Sequence, residues 1–186
     1  GRVCSGYLLR AAGTRILLDA GNGATANLQR CVPFRDLDAI VISHRHVDHC
    51  IDLVSAFHAL RFDPSATRRL PLYAAEEVVE TITSLLGDSA EHFSDVLAHR
   101  VVRGGDTVQV GPVALTFFDS VHPVPTVSVR AAAGGRVVAY SADSAGGEEL
   151  VECARDADLF LCEATWQGDA EAYPEGIHLT ARDAGR

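Results

Sequence analysis

Within the run Ser43-His44-Arg45-His46-Val47-Asp48-His49, three imidazoles and a carboxylate fall inside six residues. In an extended segment alternate side chains share a face, so His44, His46 and Asp48 can converge on one point. His49 breaks that parity and aims at a neighbouring point if a helix begins there. A cluster able to serve two adjacent points suits two metal ions held by imidazole and carboxylate, as zinc prefers. The plain alternative is a histidine-rich exposed turn that binds nothing. Against it stands the ordered set H-x-H-x-D-H, placed directly after the apolar run Leu37-Asp38-Ala39-Ile40-Val41-Ile42.

Two metals need more donors than this motif holds, and two later strand ends offer them. Val121-His122-Pro123 follows the apolar run Val113 to Phe118, and Ser141-Ala142-Asp143-Ser144 follows Val137 to Tyr140. Either residue alone is an ordinary turn or cap residue. Their joint occurrence, in this order after the first motif, makes His122 and Asp143 candidate ligands. Cys50 adjoins the motif, but a helix-start residue facing the core is the preferred reading. His58, His92 and His99 fall in or beside helices and turns and are read as non-ligands.

The elements that must position these groups alternate in type. Val3 to Arg10 and Arg15 to Asp19 read as a hairpin around Ala12-Gly13-Thr14. A short helix, Ala24 to Cys31, ends at Pro33. Gly21-Asn22-Gly23 lacks the third glycine and the later acid of a dinucleotide loop. Leu37 to Ser43 reads as a buried strand, Cys50 to Arg61 as a helix and Leu70 to Tyr73 as a strand. Glu76 to Leu86 and Glu91 to Ala98 read as helices. The second half resets the pattern. Val101 to Arg103, Thr107 to Val110 and Val113 to Asp119 alternate like antiparallel strands, and Thr126 to Ala132 with Arg136 to Ser141 flank the turn Gly134-Gly135. Glu148 to Arg155 is a predicted helix and Asp158 to Cys162 a short buried strand. Mixed sheets with helices on their outer faces imply a layered α/β (α+β) sandwich, not a doubly wound parallel sheet.

The 186 residues fit one domain, and 47 % apolar content suits a packed core. No apolar run approaches the ~20 residues of a membrane span, and Gly1 to Gly6 lacks a secretory pattern. Sixteen basic against 25 acidic side chains give a net charge of −9. That balance disfavours a protein gripping a long phosphate backbone. Five scattered cysteines without C-x-x-C read as reduced thiols in the cytoplasm. With no methionine, and a helix beginning just at its end, the chain reads as a fragment, residues 1–186 of one domain open at both ends.

The motif set resembles the metallo-β-lactamase superfamily, whose fold is a four-layer αββα sandwich. Its finer pattern is similar to the ribonuclease Z-like phosphodiesterase branch, carried here by Leu161-Cys162-Glu163-Ala164-Thr165 and His178-Leu179-Thr180. Ser5 to Leu9 with Leu18-Asp19-Ala20-Gly21 is similar to that group's first hairpin. The resemblance implies that His44, His46 and His122 bind a first metal, Asp48 and His49 a second, and that Asp143 bridges both. It also implies a further histidine on the second metal, beyond Arg186. The expected cofactor is two zinc ions, with manganese or iron(II) as substitutes.

The chemistry expected is zinc-dependent phosphodiester hydrolysis by a hydroxide shared between the metals. Asp48 is the candidate to orient that hydroxide and take its proton. His178 is the candidate general acid for the departing oxygen, set before a helix by the capping-box-like Thr180-Ala181-Arg182-Asp183. Glu163 is the candidate carboxylate that supports its charge. A small cyclic-nucleotide diester is the favoured substrate. The alternative is tRNA 3′-end processing, for which bacterial members of the family insert a basic, Gly-rich arm between the residues matching His122 and Asp143. Here only 21 positions separate those two. A β-lactam or thioester hydrolase and a metal-binding protein without turnover are further alternatives. The expected partner is a small anionic phosphodiester, with no membrane and no extensive nucleic-acid contact; a homodimer is compatible with the sequence.

Overall fold

The chain divides between Val102 and Arg103 into two units in the computed structural model, which describes residues 3–169 and 172–186. In the first unit, β1 (Tyr7–Ala11) and β2 (Thr14–Leu18) form the antiparallel hairpin, and β3 (Ala39–Val41), β4 (Leu70–Ala74) and β5 (Leu97–Val101) extend it in parallel, in the order β1-β2-β3-β4-β5. Strands in the middle of a parallel region are covered on both faces and read as continuous apolar runs. β3 obeys this, with all three residues buried.

Five helices serve this sheet: α1 (Ala24–Leu28), α2 (Val47–Cys50), α3 (Leu53–Arg61), α4 (Glu76–Leu86) and α5 (Phe93–Val96). α4 buries Val78, Ile82 and Leu86, spaced four apart on one face. Glu76 and Glu77 in its first turn suit the helix dipole. The core joins Leu17, Leu37, Ile40, Leu53, Phe57 and Leu72, all fully or nearly fully buried. Truncating Phe57 there would cost about 3–5 kcal/mol.

The second unit carries β6 (Thr107–Val110), β7 (Val113–Asp119), β8 (Val127–Ala133), β9 (Arg136–Tyr140) and β10 (Leu159–Leu161), ordered β10-β9-β8-β7-β6. Its strands are antiparallel except that β10 runs parallel to β9. β7 buries Val113, Leu115 and Phe117 in alternation. α6 (Glu148–Ala154) packs on β7, β8 and β9 through Leu150 and Cys153. The Arg130 guanidinium donates to the Cys153 and Arg155 carbonyls at its end. The turn Gly134-Gly135 takes φ of 57° and 74°, as a two-residue hairpin of this hand requires. α7 (Ala181–Ala184) closes the described chain.

The helices expected over Ala24 to Cys31 and Cys50 to Arg61 contract to Ala24–Leu28 and Leu53–Arg61, and three further boundaries shift. The first strand starts at Tyr7 and not at Val3, because Cys4 and Ser5 donate their N–H groups to Asn22 and Asp48 carbonyls and not to β2. The helix expected over Glu91 to Ala98 is α-helical only from Phe93 to Val96. From Leu97 onward the chain pairs with β4, and five ladder positions outweigh helical propensity there. Val101 therefore ends a parallel strand of the first sheet, and does not open the antiparallel set of the second.

Candidate active site

In the first unit β3 hands the chain to Ser43 and His44, both buried. His46 stays extended (φ −62°, ψ 140°), and α2 starts at Val47. Asp48 therefore lies on a helical turn with His49, and does not share the extended face of His44 and His46 as parity alone predicts. The carboxylate Oδ2 of Asp48 stands 3.8 Å from His49 Nε2. The motif thus splits into an extended pair and a helical pair.

Asp19 fixes both pairs. It is 1 % exposed, and its Oδ1 accepts the Ser43 N–H at 2.7 Å. Its Oδ2 accepts the Ser43 hydroxyl at 2.9 Å and faces His49 Nδ1 at 2.7 Å. A carboxylate is an acceptor, so the network assigns the His49 proton to Nδ1 and leaves Nε2 as the lone-pair nitrogen. Because Ser43 donates to Asp19, its oxygen accepts from His44 Nδ1 at 3.0 Å. His44 Nε2 then faces His46 Nδ1 at 3.0 Å. Two imidazole lone pairs repel at that separation unless a proton or a cation sits between them. Zn–N bonds of about 2.0–2.1 Å in tetrahedral geometry set two nitrogens about 3.3 Å apart, so the pair fits a shared metal.

The backbone around this set is strained and closely packed. Asp19 has φ of 60°, a left-handed conformation that is costly for a residue with a side chain. A Cβ at Gly21 would lie 1.8 Å from the Asp48 carbonyl oxygen, so only glycine lets this loop reach α2. Ala20 N–H donates to the His49 carbonyl at 2.7 Å. Cys50 is fully buried in the core and its thiol donates to the Arg45 carbonyl. Burial, then Asp19 and Asp48, push that thiol up to about 12, which leaves it a protonated core residue.

In the second unit the functional side chains come from four segments. His122 follows β7, and its Nδ1 faces the Ile177 carbonyl at 3.0 Å, which turns Nε2 toward Asp143 Oδ2 at 3.9 Å. Asp143 follows β9 after Ala142, whose φ of 51° is again left-handed, and Ser120 donates to the Asp143 carbonyl. Glu163 follows β10. Its Oε1 accepts from the Ser144 N–H and from His178 Nδ1, both at 2.8 Å. Its Oε2 accepts from the N–H groups of Thr165 at 3.0 Å and Leu179 at 3.3 Å. Four donors fill the lone-pair capacity of a carboxylate, so Glu163 orients His178 and is not available as a metal ligand. His178 Nδ1 also lies 4.0 Å from Asp143 Oδ2; Asp143, Glu163 and His178 stand close enough together for a metal, but the four hydrogen bonds already occupy the Glu163 oxygens. Thr180 and Asp183 make the reciprocal capping box, with Asp in place of Glu.

Sequence reasoning did not assign a role to Asp19, although the signal was there: an acid directly after an apolar strand, as at Asp143. Ser43 and Ser144 carry no such signal, since their contributions depend on loop geometry. Among the other histidines, His58 and His99 face backbone carbonyls and His92 lies beside Glu91 and Asp95. None of the three joins a metal-type cluster among the described residues.

A family model described as a β-lactamase superfamily domain matches residues 14–186, and the chain belongs to that superfamily, as a metallo-hydrolase with the metallo-β-lactamase fold. An uncharacterized protein of Mycobacterium leprae is 32% identical over 188 residues, covering 98% of this chain and 66% of that protein. The crystal structure of the metallo-β-lactamase fold protein YhfI from Bacillus subtilis aligns with a TM-score of 0.84 at 26% identity, over 99% of this chain and 73% of that one. A ribonuclease Z of Kineococcus radiotolerans is 27% identical over 229 residues, covering 98% of this chain and 72% of that protein. The chain thus spans about two thirds to three quarters of these relatives. No helix among the described residues is long and apolar enough to cross a membrane.

Proposed function

We propose that the protein is a zinc-dependent phosphodiesterase acting on a small diester, with a cyclic nucleotide as the favoured substrate. The observation that carries this reading is the His178–Glu163 pair beside Asp143: an imidazole whose Nδ1 is held by a saturated carboxylate keeps Nε2 for a departing oxygen. His44, His46 and His122 would hold one metal, Asp48 and His49 a second, and Asp143 would be shared. Membership of the superfamily along residues 14–186 supports taking these donors as one set. When bound, two such ions supply a water activated at neutral pH and positive charge beside phosphorus. Asp48 orients the attacking oxygen, and Asp19 fixes the tautomer of His49. His178 gives its proton to the leaving alkoxide, and Glu163 stabilises the ring as its charge changes. With five free cysteines, the cytoplasm is the proposed location.

A small substrate is favoured over tRNA by the segment between His122 and Asp143. It contains β8, β9 and the Gly134-Gly135 turn, with no basic arm. The match to ribonuclease Z runs over 229 residues against a chain of 186, so that relative carries at least 43 positions without a counterpart here. The test compares hydrolysis of cAMP with cleavage of a 3′-extended tRNA precursor by the zinc-loaded protein. Turnover of cAMP is expected; robust tRNA cleavage with inert cAMP would reverse the substrate, and zinc binding without hydrolysis of any diester would reject the enzyme.

A further inference from the structure

Trp166, the single tryptophan, lies against the proposed acid. Its indole meets the His178 imidazole at 4.8 Å between ring centroids and an interplanar angle of 90°. Behind it Tyr173 stacks in parallel at 4.4 Å and 4°, and the Tyr173 hydroxyl donates to the Gln167 carbonyl at 2.8 Å. The backbone N–H of Trp166 donates to the Leu179 carbonyl at 3.0 Å, and a β-bridge joins Trp166 to Thr180. The indole is therefore tied, through its own backbone, to the residues on the far side of His178.

The indole nitrogen is the telling atom. It is buried, and no hydrogen-bond acceptor among the described residues meets it. A donor left in that state costs stability that a phenyl ring would not. Stacking on Tyr173 would be served as well by phenylalanine, so packing alone gives no reason for an indole. What the larger ring adds is a wall beside His178. The hydrogen bond from Nδ1 to Glu163 anchors the imidazole at one nitrogen, and the His122 ring stands 5.4 Å away, tilted by 54°; a single bond with one tilted neighbour still lets the ring rotate. A perpendicular indole 4.8 Å away closes the positions into which it would swing.

We infer that Trp166, backed by Tyr173, is a positioning residue that holds the His178 imidazole with Nε2 aimed at the leaving oxygen. This rests on reading His178 as the general acid. A general acid matters in proportion to the basicity of the group that departs. 4-Nitrophenolate leaves without a proton, whereas phenolate gains from one. Loss of aim at His178 must then slow the second far more than the first, and a general structural defect must slow both alike.

The experiment uses the zinc-loaded protein with 4-nitrophenyl methyl phosphate and phenyl methyl phosphate, two diesters that differ only in leaving group. His178→Ala is the control that tests the acid reading. Trp166→Ala is expected to slow the phenyl ester about 10- to 100-fold, the scale of an ångström of misplacement, and the nitrophenyl ester less than about 3-fold. Trp166→Phe keeps the stack on Tyr173 but offers His178 a smaller wall, so it is expected to slow the phenyl ester by a factor between the parent and Trp166→Ala, and to melt at the same or a higher temperature. Independently of turnover, the proton NMR signal of His178 Nδ1–H bonded to Glu163 should be sharp in the parent, broaden somewhat in Trp166→Phe and vanish or broaden most in Trp166→Ala. Equal slowing of both esters by Trp166→Ala, an unchanged rate on both, or an unchanged Nδ1 proton signal would each overturn the positioning role while the acid reading stands. A His178→Ala variant that slows both esters alike would remove the acid reading itself.

Discussion

In the first unit the candidate ligands come from one short stretch, His44 to His49, and one buried carboxylate on a neighbouring loop aligns them. In the second unit His122, Asp143, Glu163 and His178 come from four segments, and the aligning carboxylate is itself one of them. Asp19 serves a set already ordered by the chain. Glu163 gathers Ser144, Thr165, His178 and Leu179, which local order does not bring together. Both units place a left-handed, non-glycine residue at the junction, Asp19 in one and Ala142 just before Asp143 in the other. Each sheet ends its strand with a sharp redirection, and the functional side chain is what that redirection aims.

The comparison breaks most visibly if a ligand from either unit proves dispensable. His46→Ala and Asp143→Ala are both expected to abolish diester turnover through loss of bound metal, read by metal analysis of the purified variants. His178→Ala sharpens it from the other side: metal is retained and kcat falls by ~10²–10⁴. Metal lost from that variant would make His178 a ligand and not an acid.

Next come the residues that align others. Asp19→Ala removes the partner of His49 Nδ1 and Ser43, and metal affinity is expected to fall about 10- to 100-fold, measured by competition with a chelating dye. Glu163→Ala should leave metal affinity close to that of the parent while lowering kcat, because its bonds reach His178 and loop amides only. Gly21→Ala places a methyl group inside the Asp48 carbonyl contact, so the loop or α2 must move. A loss of about 1–3 kcal/mol is expected, as for other overpacked sites, read by chemical denaturation with metal removed.

The smallest effect lies at Asp183. Hydrogen bonds from the Thr180 hydroxyl and N–H hold its carboxyl below the usual carboxylate range. A depressed folded value means that the contribution is present above the ordinary carboxylate value, ~3.9, and is lost as pH falls through the lower folded value. Asp183→Asn should therefore melt slightly lower than the parent at neutral pH, and the difference should shrink below about pH 4. A difference that grows on acidification would contradict the capping role.

Legibility in the sequence follows the same division. His44, His46, Asp48 and His49 declare themselves because their spacing is compact and β3 is wholly apolar. A helix at His49 is foreseeable from the broken parity, but that Asp48 leaves the extended face and joins it is not, since the start of α2 at Val47 goes with contacts from Ser5 and Ala20 to the Asp48 and His49 carbonyls. His122 and Asp143 were readable only as strand-end residues taken together. Glu163 was suggested as a carboxylate for His178, but its amide donors lie up to 19 residues away and leave no local pattern. Leu97 and Ala98 were misassigned to a helix because the parallel ladder with β4 is a long-range term that local periodicity cannot carry.

The carboxylate of Glu163 has a consequence for motion as well as for chemistry. The amide hydrogens of Ser144, Thr165 and Leu179 all end on its two oxygens, so none of these loops can open without disturbing an acceptor shared with the others. Their slow exchange with solvent deuterium should then behave as one cooperative opening and not as three separate fluctuations. In Glu163→Ala the three amides should become fast together, while the ladder amides of β7 and β8 keep their protection.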